Sequence, residues 1–204
     1  MTPTIAREKA IKLATSDTEV ALDVARSVGD PWYACQALAW VARFAPDDRF
    51  TAIVDEAFAV GRQAEDPYQI VGSAAWPLRA LVERGHTERL ASILPELLNL
   101  AMRIESPASR SEALKLVYEA IFPAGRRSWL SVLDVLARAT YPAIHWRQSR
   151  NIRDAVLMAA SEDPVFARDF CRGIGNDKAK DQIQRRLAVS QFATPRPFFW
   201  RPDP

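Results

Sequence analysis

The chain has 204 residues, which is the length of one domain or of two small ones. Its 49% hydrophobic and 25% charged residues are typical of a globular protein and unlike a disordered one. Lys and Arg together number 27 and Asp and Glu number 25, and the resulting formal charge of +2 argues against strong, non-specific binding of nucleic acid.

The small net charge hides an uneven distribution. Of the 27 basic residues, 22 are Arg and 5 are Lys. Residues 1–106 hold 11 basic and 15 acidic side chains, whereas residues 107–204 hold 16 basic and 10 acidic ones. An acidic partner is therefore expected to prefer the C-terminal half.

Neither a membrane span nor a secreted location is expected. Uncharged stretches stay far below the roughly 18 apolar residues that a transmembrane helix needs, and the N-terminus lacks the apolar region of a signal peptide. Cys35 and Cys171 lie far apart among apolar neighbours, which predicts buried free thiols rather than a disulfide. We expect a cytoplasmic protein.

A repeat organises most of the chain. Its five marker residues, spaced by 36, 40, 36 and 34 positions, are Asp30, Asp66, Ser106, Pro142 and Asn176. The first three pair an N-cap side chain with a proline at the first helical position, where the missing N–H costs nothing. The marker therefore predicts the start of a helix in each unit.

Apolar stripes flank each marker. In the first unit the stripe before the marker is Ala21, Val24, Ala25 and Val28, and equivalent positions of the other units are mostly apolar or small. These offsets fall on one side of a helix, and a second stripe follows the marker. Pro77 lies within the second stripe of its unit and is expected to kink or shorten that helix. Each unit is thus a helix, a capped turn and a second helix.

The pattern predicts eleven helices and an all-α fold. The predicted helices cover 5–14, 17–28, 31–44, 48–64, 67–84, 87–104, 107–122, 127–140, 146–160, 163–173 and 177–190. One unit has too little core to be stable alone, so units are expected to stack into a short right-handed α-solenoid of about five helix-turn-helix repeats. Residues 1–190 would form this single domain, and residues 191–204 a docked tail.

In period and capping, residues 16–190 resemble bacterial HEAT-like and TPR-like helical repeats. The Trp, Leu-Gly and Tyr signature of TPR repeats is missing, and the HEAT pattern is only loosely matched. The resemblance implies a scaffold that binds another protein along its groove. Some HEAT-like solenoids are alkylpurine DNA glycosylases, so the resemblance also implies an alternative: a DNA-binding protein or glycosylase-like enzyme that uses the basic C-terminal half.

One candidate partner-binding surface is a series of arginines four residues before the markers. They are Arg26, Arg62, Arg138 and Arg172, with Met102 in the third unit. This offset points away from the apolar stripe, so a row of guanidinium groups could meet an acidic segment. The alternative is an ordinary solvated face, since Asp23 and Asp169 are placed for intrahelical ion pairs.

A second candidate surface is Trp146 with Arg147, Arg150 and Arg153. An aromatic ring beside three arginines suits phosphate or acidic groups. Because the repeat pattern expects apolar residues near Arg150 and Arg153, the alternative is a shifted register, in which Ala155, Val156 and Ala159 form the buried stripe.

The third candidate surface is the tail. Phe198, Phe199 and Trp200 stand among four prolines, and three large aromatic side chains are costly to leave in water. We expect the tail to dock on its own domain, where it would block the groove or cap the last helix, or on a neighbouring chain, where it would make a homodimer.

Signals of catalysis are weak. The sequence has no glycine-rich phosphate loop, paired cysteines, HExxH or GxSxG motif. His86 and His145 are far apart in sequence, and no catalytic residue, cofactor site or metal site is predicted. A non-enzymatic interaction scaffold is therefore the favoured hypothesis.

Overall fold

The computed structural model describes residues 1–199 of the chain. Within this range the regular structure is helical, with eleven α-helices and no strand. None of these helices is both long and apolar enough to cross a membrane. The helices are α1 Pro3–Leu13, α2 Thr18–Arg26, α3 Pro31–Phe44, α4 Asp47–Gly61, α5 Pro67–Glu83, α6 Thr87–Ala101, α7 Pro107–Ile121, α8 Arg126–Ala139, α9 Trp146–Glu162, α10 Pro164–Arg172 and α11 Asp177–Ala188.

The all-α prediction is confirmed, and the marker residues explain the helix boundaries. The Asp30 carboxylate accepts a hydrogen bond from the Tyr33 N–H, and Asp66 accepts one from Tyr68. Four of the five markers directly precede a helix. The exception is Pro142, because α9 begins later, at Trp146. There Gln148 Oε1 accepts a hydrogen bond from the His145 N–H, and His145 Nδ1 accepts one from the Arg147 N–H, an arrangement of the capping-box type.

The chain divides into two compact units. Unit 1 contains residues 1–93 together with the described tail residues 197–199, and unit 2 contains residues 94–196. The boundary between them falls inside α6. The sequence prediction of one domain over 1–190 stays a prediction.

Unit 1 is built around α3. This helix contacts α1, α2, α4 and α5, and every residue from Ala34 to Ala42 is buried. A helix that is apolar on all sides requires neighbours on all sides. Alternate helices of this unit therefore pack side by side, with α3 between α1 and α5.

Unit 2 is built in the same way around α9, which contacts α7, α8, α10 and α11. Its C-terminal half is buried on every side from Ala155 to Ala160, as is α7 from Ala113 to Ile121. Burial of Ala155, Val156 and Ala159 agrees with the shifted register suggested by the sequence.

Pro77 does not end its helix, since α5 continues to Glu83. A proline removes the N–H that would bond to the carbonyl four residues earlier, here that of Ser73. The Cys35 thiol of α3 donates to this carbonyl across 3.5 Å. A cysteine on the neighbouring helix thus partly satisfies the backbone group that Pro77 leaves open.

Candidate interaction surfaces

Equivalent positions of two repeats build an aromatic surface in unit 1. We call Trp32, Trp40 and Arg43 of α3 and Tyr68 and Trp76 of α5 the aromatic face. Trp32 and Tyr68 each lie two residues after their cap, and Trp40 and Trp76 lie ten residues after it. A spacing of eight keeps both rings of a helix on one side, and lateral packing of α3 on α5 brings the two pairs together.

The rings of the aromatic face are in direct contact. Trp32 stacks on Tyr68 with their centroids 6.0 Å apart and meets Trp76 edge-on at 5.9 Å. Trp40 is buried, whereas Trp32, Tyr68 and Trp76 are half-buried. Although Trp40 and Trp76 are equivalent repeat positions, only Trp40 therefore belongs to the core.

Two tail residues lie on this face. The ring of Phe198 meets Trp76 edge-on with centroids 5.3 Å apart, and Phe198 is only 3% exposed. Phe199 meets Trp40 edge-on, also at 5.3 Å. Trp200, the third aromatic residue of the predicted tail surface, lies outside the described residues. Within the described part of unit 1, the tail therefore occupies the aromatic face through an adjacent pair of phenylalanines.

Arg43 completes the contact with the tail. Its guanidinium carbon lies 4.2 Å from the centroid of Phe199 and 5.2 Å from that of Trp40. The Arg43 Nε donates to Glu83 across 2.7 Å, and Glu83 also accepts from Arg79. Since these ion pairs fix the guanidinium in place, it presents its face to an aromatic ring at little further entropic cost.

Unit 2 contains a different kind of surface, made of charged side chains. We call Glu112, Lys115 and Glu119 of α7, Arg150 and Asp154 of α9, and Arg196 the charged network. Lys115 Nζ lies 3.5 Å from Glu119 Oε1 and 3.4 Å from Asp154 Oδ2. Arg150 pairs with Glu112 across 3.1 Å. Lys115 and Glu119 are both buried, so their charges depend on these partners.

Arg196 places the start of the tail on the charged network. Its guanidinium pairs with Glu119 Oε2 and lies 3.5 Å from Glu112 Oε1. Burial raises the pKa of the Glu119 carboxyl above its ordinary value of 4.5, although Lys115 and Arg196 act in the opposite direction. Just before Arg196, the Ala193 N–H donates to the Leu157 carbonyl.

The N-terminal half of α9 buries a polar cluster that the repeat pattern did not predict. Asn151 donates to Ser111 Oγ, and Ser149 bonds to the side chain of Asn176. The Asn176 amide also reaches the Thr140 carbonyl, while its oxygen caps α11 by accepting from Ala179 N–H. All these side chains are buried. In this part of α9, hydrogen bonds between buried polar side chains replace apolar packing. The feature of the sequence that indicates this cluster is the run of polar residues after Trp146.

The predicted arginine series is exposed in both units. In unit 1, Arg26 makes a two-pronged ion pair with Glu56 of α4, at 2.8 Å for each contact, and Arg62 is also exposed. In unit 2, Arg138 is exposed and Arg172 pairs with Asp169 across 3.1 Å. The predicted pair between Asp169 and Arg172 is thus formed, while Arg26 bonds to Glu56 of α4. Partner binding by the series stays a prediction.

The predicted cluster around Trp146 is divided between solvent and the charged network. Trp146 is 55% exposed, and the guanidinium groups of Arg150 and Arg147 lie 5.0 and 5.8 Å from its ring centroid. Arg153 turns instead to Asp154, 2.7 Å away, and to Gln182. Two of the three arginines are therefore already paired with carboxylates.

The two cysteines are buried free thiols, as predicted. Burial raises the pKa of Cys35 to about 12 and also raises that of Cys171. Cys171 borders an open cleft of about 290 Å³ together with Arg168 and Arg172. Both shifts favour the protonated thiol, which is a weaker nucleophile than the thiolate. Residues 1–199 contain no group of three His, Cys, Asp or Glu side chains that could hold a metal ion.

No family model, curated protein or solved structure matches the chain. A functional conclusion therefore rests on the surfaces described above.

Proposed function

We propose that the chain is a non-enzymatic protein-interaction module that holds an extended protein segment on its aromatic face. Each unit would be a short stack of helical hairpins, of the kind that HEAT-like and TPR-like solenoids repeat, and a right-handed solenoid over all five repeats is part of the proposal. The observation that carries it is the placement of Phe198 and Phe199 on Trp76 and Trp40.

The tail contact resembles the way in which groove-binding proteins recognise peptides. The segment from Gln191 to Pro197 has no regular secondary structure, and the two phenylalanine rings that follow contact tryptophans of α3 and α5. Exposed aromatic side chains on a solenoid face give large contact area at low entropic cost. The chain thus contains both an aromatic face and an example of a segment that lies on it.

A capture experiment tests the function. The full-length chain is immobilised as wild type and as Phe198→Ser/Phe199→Ser, which frees the aromatic face, and proteins from the native cell are quantified on each. We expect a partner enriched on the double variant and lost when Trp76→Ala is added. Tyr141→Ala, at an exposed aromatic residue of unit 2 outside the candidate surfaces, is the matched control and should retain the partner. If no captured protein depends on Trp76, the proposal is wrong.

DNA binding by the C-terminal half is the alternative function. The engagement of Arg150 and Arg153 by Glu112 and Asp154 reduces the positive charge available for phosphates and favours the protein-interaction proposal. Binding through several phosphates falls steeply with salt. Such contacts are strong at about 50 mM salt, so failure of the chain to bind duplex DNA there would show that this alternative is wrong.

A further inference from the structure

Two adjacent side chains of the tail occupy two different positions on the aromatic face. Phe198 lies against Trp76 of α5, and Phe199 lies against Trp40 of α3. Neighbouring side chains of a straight extended segment point to opposite sides. The backbone bends at residues 198 and 199, and this bend allows both rings to meet the same face.

The two positions differ in depth, and both select for an aromatic ring. Phe198 is buried to the degree of a core residue, whereas Phe199 is half-buried. Edge-on packing against tryptophan and the guanidinium of Arg43 both act on the quadrupole of a π-system, which an aliphatic side chain lacks. Phe192 of the same tail is 39% exposed, so the burial of Phe198 is not shared by every aromatic residue of the tail.

We propose that the aromatic face recognises two adjacent aromatic side chains in an extended segment of another protein, and that the chain's own tail competes for this position. This inference rests on the proposed function and names its partner class and its regulation. A flexibly linked segment acts at an effective concentration of about 1 mM. If the tail segment itself has an intrinsic dissociation constant of about 10 µM for the aromatic face, a partner segment would bind the wild-type chain roughly 100-fold more weakly than a chain whose tail cannot dock.

Synthetic peptides test the recognition. Fluorescently labelled peptides with the sequence of residues 191–204 are titrated with the full-length Phe198→Ser/Phe199→Ser chain, and binding is followed by anisotropy. One peptide carries Phe-Phe at positions 198 and 199, and the others carry Ser-Phe, Phe-Ser and Ser-Ser. We expect the tightest binding for Phe-Phe and a larger loss for Ser-Phe than for Phe-Ser, because the first ring is the more buried. The Ser-Ser peptide should bind at least about 100-fold more weakly, which corresponds to the loss of two buried rings.

Two further receptors test the competition and locate the contact. The wild-type chain should bind the Phe-Phe peptide roughly 100-fold more weakly than the double variant does. Adding Trp76→Ala to the double variant should abolish the preference for Phe-Phe, whereas adding Tyr141→Ala should preserve it. Circular dichroism of each receptor confirms that the helices are intact.

Several results would overturn the inference. Equal affinity for the four peptides would remove the recognition of an aromatic pair, and equal binding by wild type and double variant would remove the competition. A wild-type chain that sediments as a dimer, and becomes a monomer in the double variant, would place the tail on a second copy instead. A partner captured through Trp76 that lacks adjacent aromatic residues would leave the proposed function standing while this inference fails.

Discussion

Lys115 Nζ lies 3.5 Å from Glu119 Oε1, one helical turn along α7, and both side chains are almost completely buried. Such a pair gains Coulomb energy and pays for removing two charges from water. For Glu119 the cost of burial exceeds the gain from pairing, because its pKa is raised above the ordinary value of 4.5. The contribution of Glu119 to the free energy of unfolding therefore changes as its carboxyl titrates.

The raised pKa of Glu119 predicts the pH dependence of stability. A carboxyl whose pKa is higher in the folded state binds its proton more tightly there, so its contribution is full below 4.5 and is lost as pH rises through the folded pKa. We expect the free energy of unfolding of Glu119→Gln to fall less than that of wild type as the pH is raised from 4.5 towards neutrality. One carboxyl changes this slope by at most about 1.4 kcal/mol per pH unit.

Urea unfolding at a series of pH values measures the difference. Glu105→Gln removes the same charge from an exposed position of unit 2 and should keep the wild-type slope. Identical slopes for Glu119→Gln and wild type would mean that Glu119 titrates in the folded chain as it does in the unfolded one.

Removing the more buried tail ring should release the tail without unfolding the helices. Phe→Ala in a packed core costs about 3–5 kcal/mol, and here the cost is limited to the free energy of docking the tail. For Phe198→Ala we expect faster amide hydrogen exchange across the described tail and a far-UV circular dichroism spectrum like that of wild type. Phe192→Ala, at the 39% exposed position, is the control. Equal exchange in the two variants would contradict the anchoring role of Phe198.

Local rules predict the helices of this chain well. Caps such as Asp30 and Asp66 precede a proline, so the start of α3 and α5 can be read from neighbouring residues alone. The role of Pro77 could not be read in this way, because the thiol that bonds to the Ser73 carbonyl comes from another helix. Tertiary packing brings the Cys35 thiol to this carbonyl, and no sequence pattern predicts the contact.

The candidate surfaces were predicted less completely. Docking of the tail could be predicted because Phe198 and Phe199 are costly to expose to water. The position at which they dock could not be predicted from the sequence. The ion pair of Arg196 with Glu119 was not predicted, because Glu119 lies 77 residues earlier in the chain and resembles an ordinary helix residue there. Polar residues such as Asn151 broke the apolar pattern, and their burial depends on mutual hydrogen bonds between helices.

Asn176 should contribute more than an ordinary cap. Its oxygen caps α11, and its amide bonds to Ser149 and Thr140 in the interior of unit 2. Asn176→Ala removes the cap and leaves buried partners unpaired, so we expect a loss of about 2–4 kcal/mol in the free energy of unfolding. Ser106→Ala removes an exposed cap at the equivalent repeat position and should cost about 1 kcal/mol. Urea unfolding compares the two, and equal losses would show that Asn176 acts as a cap alone.

Gly61 allows three helices of unit 1 to approach one another. A Cβ atom at this position would lie 3.0 Å from Ser73 Oγ of α5 and 3.3 Å from Cys35 Sγ of α3. Overpacking of this kind costs about 1–3 kcal/mol, which is the loss that we expect for Gly61→Val. A Cβ at the exposed Gly29 meets nothing within 4 Å, so Gly29→Val should change stability by less than about 0.5 kcal/mol. Thermal unfolding distinguishes the two, and a neutral Gly61→Val would show that α4 can shift away.

Cys35 should resist alkylation in the folded chain. Its side chain is inaccessible, and burial raises its pKa to about 12, so at pH 8 only about one thiol in 10,000 would be the reactive thiolate. With excess iodoacetamide at this pH we expect modification of Cys35 only as fast as unit 1 opens, measured by mass spectrometry of the digested protein. The same chain in guanidinium chloride provides the rate of an unprotected thiol. Modification of the folded chain at that unprotected rate would mean that α3 and α5 separate readily, and that the thiol contact with the Ser73 carbonyl is not maintained in solution.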